Sequence, residues 1–124
     1  MSYQSNLVQW GLLNTLNGRD ETKMSQLRMQ INTQTKEDAS LAKDYSDAKK
    51  SINAMYDYDD PQREVALDEV KDEFEFLKAQ AATEEAEVQA QIDELKVAID
   101  QRNTWMDSLD QKMGKEIEQD HSYG

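Results

Sequence analysis

The sequence predicts an all-α protein: an elongated antiparallel helical hairpin of coiled-coil type. Three observations carry that reading. The 124 residues hold one proline and four glycines, too little punctuation for a strand-rich fold. Apolar residues recur at alternating three- and four-residue steps, the rhythm of one helical face. The single proline, Pro61, stands at the midpoint behind Asp57, Asp59 and Asp60, where it can start a second helix.

The elements come in order along the chain. Residues 4–16 form a short helix that contains Leu7, Val8, Trp10, Leu12, Leu13 and Leu16, more apolar side chains than one packing seam absorbs. At Asn17-Gly18-Arg19-Asp20 a break is expected, with Gly18 in the left-handed conformation that ends helices and Asp20 capping the next helix. Helix A then spans 20–56, with Met24, Leu27, Ile31, Leu41, Tyr45, Ala48, Ile52 and Met55 on its seam and Gln34 and Asp38 at the two sites between.

The turn is 57–60. Proline at 61 disfavours helical geometry at Asp60, and an aspartate there suits the cap of the second long helix. Helix B spans 61–118 and resumes the rhythm at Leu67, Val70, Phe74, Leu77 and Ala81, then Val88, Ile92, Leu95, Ile99, Arg102, Met106, Leu109 and Met113. From 81 to 92 the spacing is best met by 81, 85, 88 and 92, an extra four-residue step of the kind that relaxes supercoiling. Residues 119–124 are a polar tail. Each arm of the hairpin, residues 4–56 with the break near Gly18 and residues 61–118, is about 80 Å at roughly 1.5 Å per residue.

Folding the chain about this turn brings the two seams into register. Ile52 faces Leu67, Ala48 Val70, Tyr45 Phe74, Leu41 Leu77, Ile31 Val88, Leu27 Ile92, Met24 Leu95, Leu13 Met106 and Trp10 Leu109. The residue numbers of every pair add to nearly the same value, which centres the hairpin on the predicted turn. Turn chemistry and periodicity therefore point to one topology. Asn17 and Asp20 fall beside Ile99 and Arg102, a polar layer that specifies alignment at some cost in stability. Residues 4–16 with 102–113 make the expected hydrophobic cluster. Leu7, Trp10, Leu13, Leu16, Trp105, Met106 and Leu109 are the candidate interface, and Asn17, Asp20 and Arg102 the candidate register layer.

Hydrophobic residues are 37% of the chain and the net charge is −12. Residues 1–58 balance seven basic against seven acidic side chains, whereas residues 59–124 set seven against nineteen. Such acidity repels nucleic-acid backbones and anionic membranes, so neither is an expected partner; a basic protein docking on helix B is. No apolar run approaches the roughly 20 residues of a membrane span, and the N-terminus lacks the basic and apolar regions of a signal peptide. A cytoplasmic location is the default expectation, with signal-less export compatible.

Chemistry is sparse. There is no cysteine and one histidine, which leaves nucleophilic and zinc–thiolate schemes without parts. Asp57, Asp59 and Asp68 have a partial calcium-loop spacing, but Pro61 and Gln62 occupy positions that need a ligand and a glycine. Glu118 and His121 have a di-iron spacing with no second pair. No cofactor or metal is expected, and the chain reads as non-enzymatic. Tyr58 and Phe76 lie off the seams and mark the hairpin tip as a contact surface.

In outline, a helical hairpin with an Asp/Pro turn and no cysteine is similar to secreted needle or filament subunits and to the small helical proteins of mycobacterial-type secretion. The latter carry Trp-x-Gly at the turn, whereas here Trp10-Gly11 lies near the N-terminus, and no family is assigned. The expected function is an assembly scaffold or adaptor that self-associates, with an exported helical polymer as the alternative.

Overall fold

In the computed structural model the backbone of residues 2–123 and the side chains of residues 2–118 are described. Two helices, α1 (Tyr3–Met55) and α2 (Pro61–Tyr123), pack against each other, and there is no strand among the described residues. Both helices are capped at their N-termini. The Ser2 hydroxyl accepts from the Ser5 amide at 3.2 Å, and the Asp60 carboxylate accepts from the Gln62 amide at 2.9 Å, with Pro61 as the first helical residue. Residues 56–60 make the link, tightened by Tyr56 N–H to Ile52 C=O and Asp60 N–H to Asp57 C=O.

The expected interruption near Gly18 does not occur. α1 is one helix through both glycines, and no described glycine has a positive φ. A break would forfeit the backbone bonds of that turn and the seam places of Asn17 and Asp20, which are both buried. That outweighs the roughly 1 kcal/mol a mid-helix glycine costs. Asp20 pairs with Arg102 instead of capping a new helix. Met55, placed on the seam by its spacing, is the last residue of α1 and is exposed.

α2 continues to Tyr123, so residues 119–123, expected as a tail, are helical backbone. Their side chains, His121 among them, and Gly124 lie outside the described residues.

The contacts divide the chain into a terminal unit, Met1–Arg28 with Ala90–Gly124, and a turn unit, Met29–Gln89. In the terminal unit the seam is closed. Leu13, Met106, Leu109 and Met113 form a buried cluster with Trp10 packed against it, and Leu27, Ile92 and Ile99 are buried too. In the turn unit Val88 is the one fully buried residue among those described. Ile31, Gln34, Asp38, Leu41, Tyr45, Ala48 and Ile52 on α1 are half-buried, as are Leu67, Val70, Phe74, Ala81 and Glu85 on α2. Glu85 takes the seam place and Glu84 is exposed, as the extra four-residue step requires.

Candidate interaction surface

Polar side chains interrupt the terminal unit's apolar seam at two levels. At the first, Arg102 Nη1 donates to Asp20 Oδ2 in a short, charge-assisted contact, and Asn17 Nδ2 donates to Asn103 Oδ1 at 2.9 Å, with Met106 Sδ 3.6 Å away. Arg19 approaches the other Asp20 oxygen at 4.0 Å. The Arg102 hydrogen bond holds the Asp20 carboxyl below its ordinary value; partial desolvation opposes this, and the Arg102, Arg19 and Lys23 charges reinforce it. The structure thus brings Asn17, Asp20 and Arg102 into one layer and adds Asn103.

At the second level Asn6, 1% exposed, donates from Nδ2 to Glu116 Oε1 at 3.0 Å. Asn6 Oδ1, Glu116 Oε2 and Trp10 Nε1 are buried there without a hydrogen-bond partner, which makes this level costly for the hairpin. Sequence reading missed this pair. Its signal was periodicity: Asn6 lies one step before Trp10 on α1, and Glu116 one step beyond Met113 on α2.

The seven candidate-interface residues fall into three groups. Leu13, Met106 and Leu109 belong to the buried cluster, Leu109 at 1% exposure. Trp10 and Leu16 are half-buried. Leu7 and Trp105 are exposed, and Val8 (71%), Leu12 (60%) and Ile117 are exposed with them. Apolar side chains therefore extend outside a core that is already closed, at helical positions that a two-helix seam cannot reach.

In the turn unit, Tyr45 and Phe74 stack with centroids 4.3 Å apart and planes 4° from parallel, and Lys49 Nζ lies 4.4 Å from the Tyr45 centroid. The rings form part of an open groove of about 280 Å³ lined also by Leu41, Asp44, Ala48, Val70, Glu73 and Leu77. Near the link, Arg63 donates to Asn53 Oδ1 at 2.9 Å and lies 5.2 Å from the Tyr58 centroid. Tyr58 and Phe76 are exposed.

No helix among the described residues is long and apolar enough to cross a membrane. No family model, curated protein or solved structure matches the chain.

Proposed function

We propose that the protein is a non-enzymatic assembly subunit, a helical hairpin that acts as a scaffold or adaptor by self-association through its terminal unit. The carrying observation is the exposure of Leu7, Leu12, Trp105 and Ile117 around a closed core. Several large apolar side chains exposed in one region mark an interaction site more often than isolated ones do, and here they surround the best-packed part of the molecule.

Size-exclusion chromatography with light scattering over a concentration series tests this. Mass that rises with concentration, and falls in a Leu12→Ser/Trp105→Ser double variant of unchanged helicity, is the expected result. A monomer at every concentration overturns self-association. Open-ended growth selects the helical-polymer form of assembly.

A second contact is favoured by the outer face of α2. Val65 and Phe76 are exposed, eleven residues apart and so on one side of the helix, with Glu69 and Asp72 between them. Apolar groups set among acids suit a basic amphipathic helix. Calorimetric titration with a Leu/Lys amphipathic peptide should give salt-sensitive binding that Phe76→Ser removes. Equal binding by the variant would refute this surface.

A further inference from the structure

A pair of antiparallel helices has two flanks beside its seam. Because both helices are right-handed and run in opposite directions, residues that immediately precede seam residues fall on one flank, and residues that immediately follow them fall on the other. In each unit the two flanks differ in charge.

In the turn unit the groove at Tyr45 and Phe74 opens on the preceding flank, where Asp44 and Glu73 line it. Glu37, Asp47 and Glu69 precede the seam residues Asp38, Ala48 and Val70, so they share that flank, and all five acids are exposed. Phe76, before Leu77, adds an exposed ring. No lysine or arginine of residues 29–89 precedes a seam residue. Lys49 and Lys78 follow Ala48 and Leu77 on the opposite flank, 4.4 Å and 5.9 Å from the Tyr45 and Phe74 centroids. The groove thus has an apolar floor with acids alone beside it. At about 280 Å³ it is smaller than the roughly 300–1,000 Å³ of small-molecule sites. It suits one large side chain projecting from a protein surface.

The terminal unit carries such a projection. Leu12 and Leu16 on α1 and Trp105 on α2 precede Leu13, Asn17 and Met106, which puts all three on the preceding flank. Leu13 and Met106 share the buried cluster, so Leu12 and Leu16 stand at the height of Trp105. Leu12 is 60% exposed and Trp105 53%. The charged neighbours there are bases: Arg19 and Lys23 precede Asp20 and Met24, Lys112 and Lys115 precede Met113 and Glu116, and all four are exposed. Glu94 is the one acid on this flank among the described residues. Glu21, Asp100, Asp107 and Asp110 each follow a seam residue and take the other flank.

The two surfaces are complements. An apolar projection ringed by bases matches an apolar groove ringed by acids, in sign and in shape, although the chain as a whole carries −12. Tryptophan is also the side chain that most often anchors an interface. We propose that the groove of the turn unit receives Trp105 from a second copy of this chain, with Lys112 and Lys115 of that copy set against Asp44 and Glu73. This rests on the assembly reading and gives the terminal unit its receptor.

Charge exchange between two variants of the full chain, followed by sedimentation equilibrium, tests the contact. Lys112→Glu/Lys115→Glu and Asp44→Lys/Glu73→Lys change exposed residues, so helicity should hold in both. Each variant alone should associate about tenfold more weakly than the wild type, and an equimolar mixture should return to within about threefold of it, because reversed bases then meet reversed acids. Recovery on mixing requires both variants to be folded. In a Trp10→Phe chain, leaving Trp105 as the sole tryptophan, emission should move to shorter wavelength as concentration rises, and Asp44→Lys/Glu73→Lys should abolish the move. A wild-type monomer at every concentration overturns the proposal and self-association alike. Wild-type association that neither reversal weakens, or that mixing fails to restore, overturns this contact alone and leaves the assembly reading standing.

Discussion

The terminal and turn units use the same seam rhythm with opposite outcomes. The terminal unit buries Leu13, Leu27, Ile92, Ile99, Met106, Leu109 and Met113 and threads polar layers between them, while the turn unit fully buries Val88 among its described residues. The difference lies in side-chain size and polarity at equivalent sites. Facing rows of Leu, Ile and Met interdigitate and exclude water. Gln34, Asp38, Ala48, Ala81 and Glu85 occupy such sites in the turn unit, and small or polar groups leave the seam half open. Periodicity thus fixes which face packs, and volume fixes how well it closes.

Truncation in the closed seam should have the largest effect. Leu109→Ala is expected to cost about 2–5 kcal/mol, the range for a fully buried leucine, measured by urea denaturation. Leu41→Ala, at a half-buried site lining the groove, should cost much less. Equal losses would erase the distinction between the units.

The register layer comes next. Asp20→Ala leaves the partly enclosed Arg102 head without its partner and should lower the urea midpoint clearly, though less than Leu109→Ala. The double variant Asp20→Leu/Arg102→Leu should recover the midpoint or exceed it, since an apolar pair avoids desolvating two charges. The same contact has a pH signature. The folded-state Asp20 pKa lies below its ordinary 3.8, so the stabilisation is fully present above that value. It is lost as pH falls through the folded pKa, and the wild-type minus Asp20→Ala difference should shrink only below about pH 4. A difference that vanished near pH 6 would place another group in control.

Gln34 tests the open seam. Its buried Oε1 has no hydrogen-bond partner, so Gln34→Leu should stabilise by about 1 kcal/mol, seen as a higher thermal midpoint. Destabilisation would mean that the amide is satisfied and the turn unit better packed than its burial indicates. The smallest expected effect is at Gly18. Because α1 is continuous there and open space surrounds the Cβ position, Gly18→Ala should stabilise the diluted hairpin by about 0.5–1 kcal/mol. A loss would restore the break that its neighbouring residues imply.

Much of the hairpin was legible in the sequence. Pro61 behind Asp60 set the start of α2, and the three-four spacing named Leu13, Leu27, Val88, Ile92 and Met106 as inward residues, because both signals are local: a proline ring fixes its own φ, and 3.6 residues per turn fixes a face. The extra step at Ala81 and Glu85 was readable for the same reason. Gly18 was not. Its local preference for a helix end is weaker than the packing of Leu13, Asn17 and Asp20 against α2, and that packing is a tertiary quantity. The sequence placed Tyr58 and Phe76 off the seams, where they are exposed, but it did not show which side chains meet across the seam. Helical side chains lean toward their own N-terminus, so on antiparallel helices contacts fall between residues displaced along the axis. Asp20 therefore meets Arg102, three residues beyond Ile99, and Asn6 meets Glu116. Composition and spacing determined two helices, their turn and their inner faces, Leu13 and Met106 among them; only the packed structure decided where the seam closes and which polar atoms it strands, because closure depends on side-chain volume across the seam.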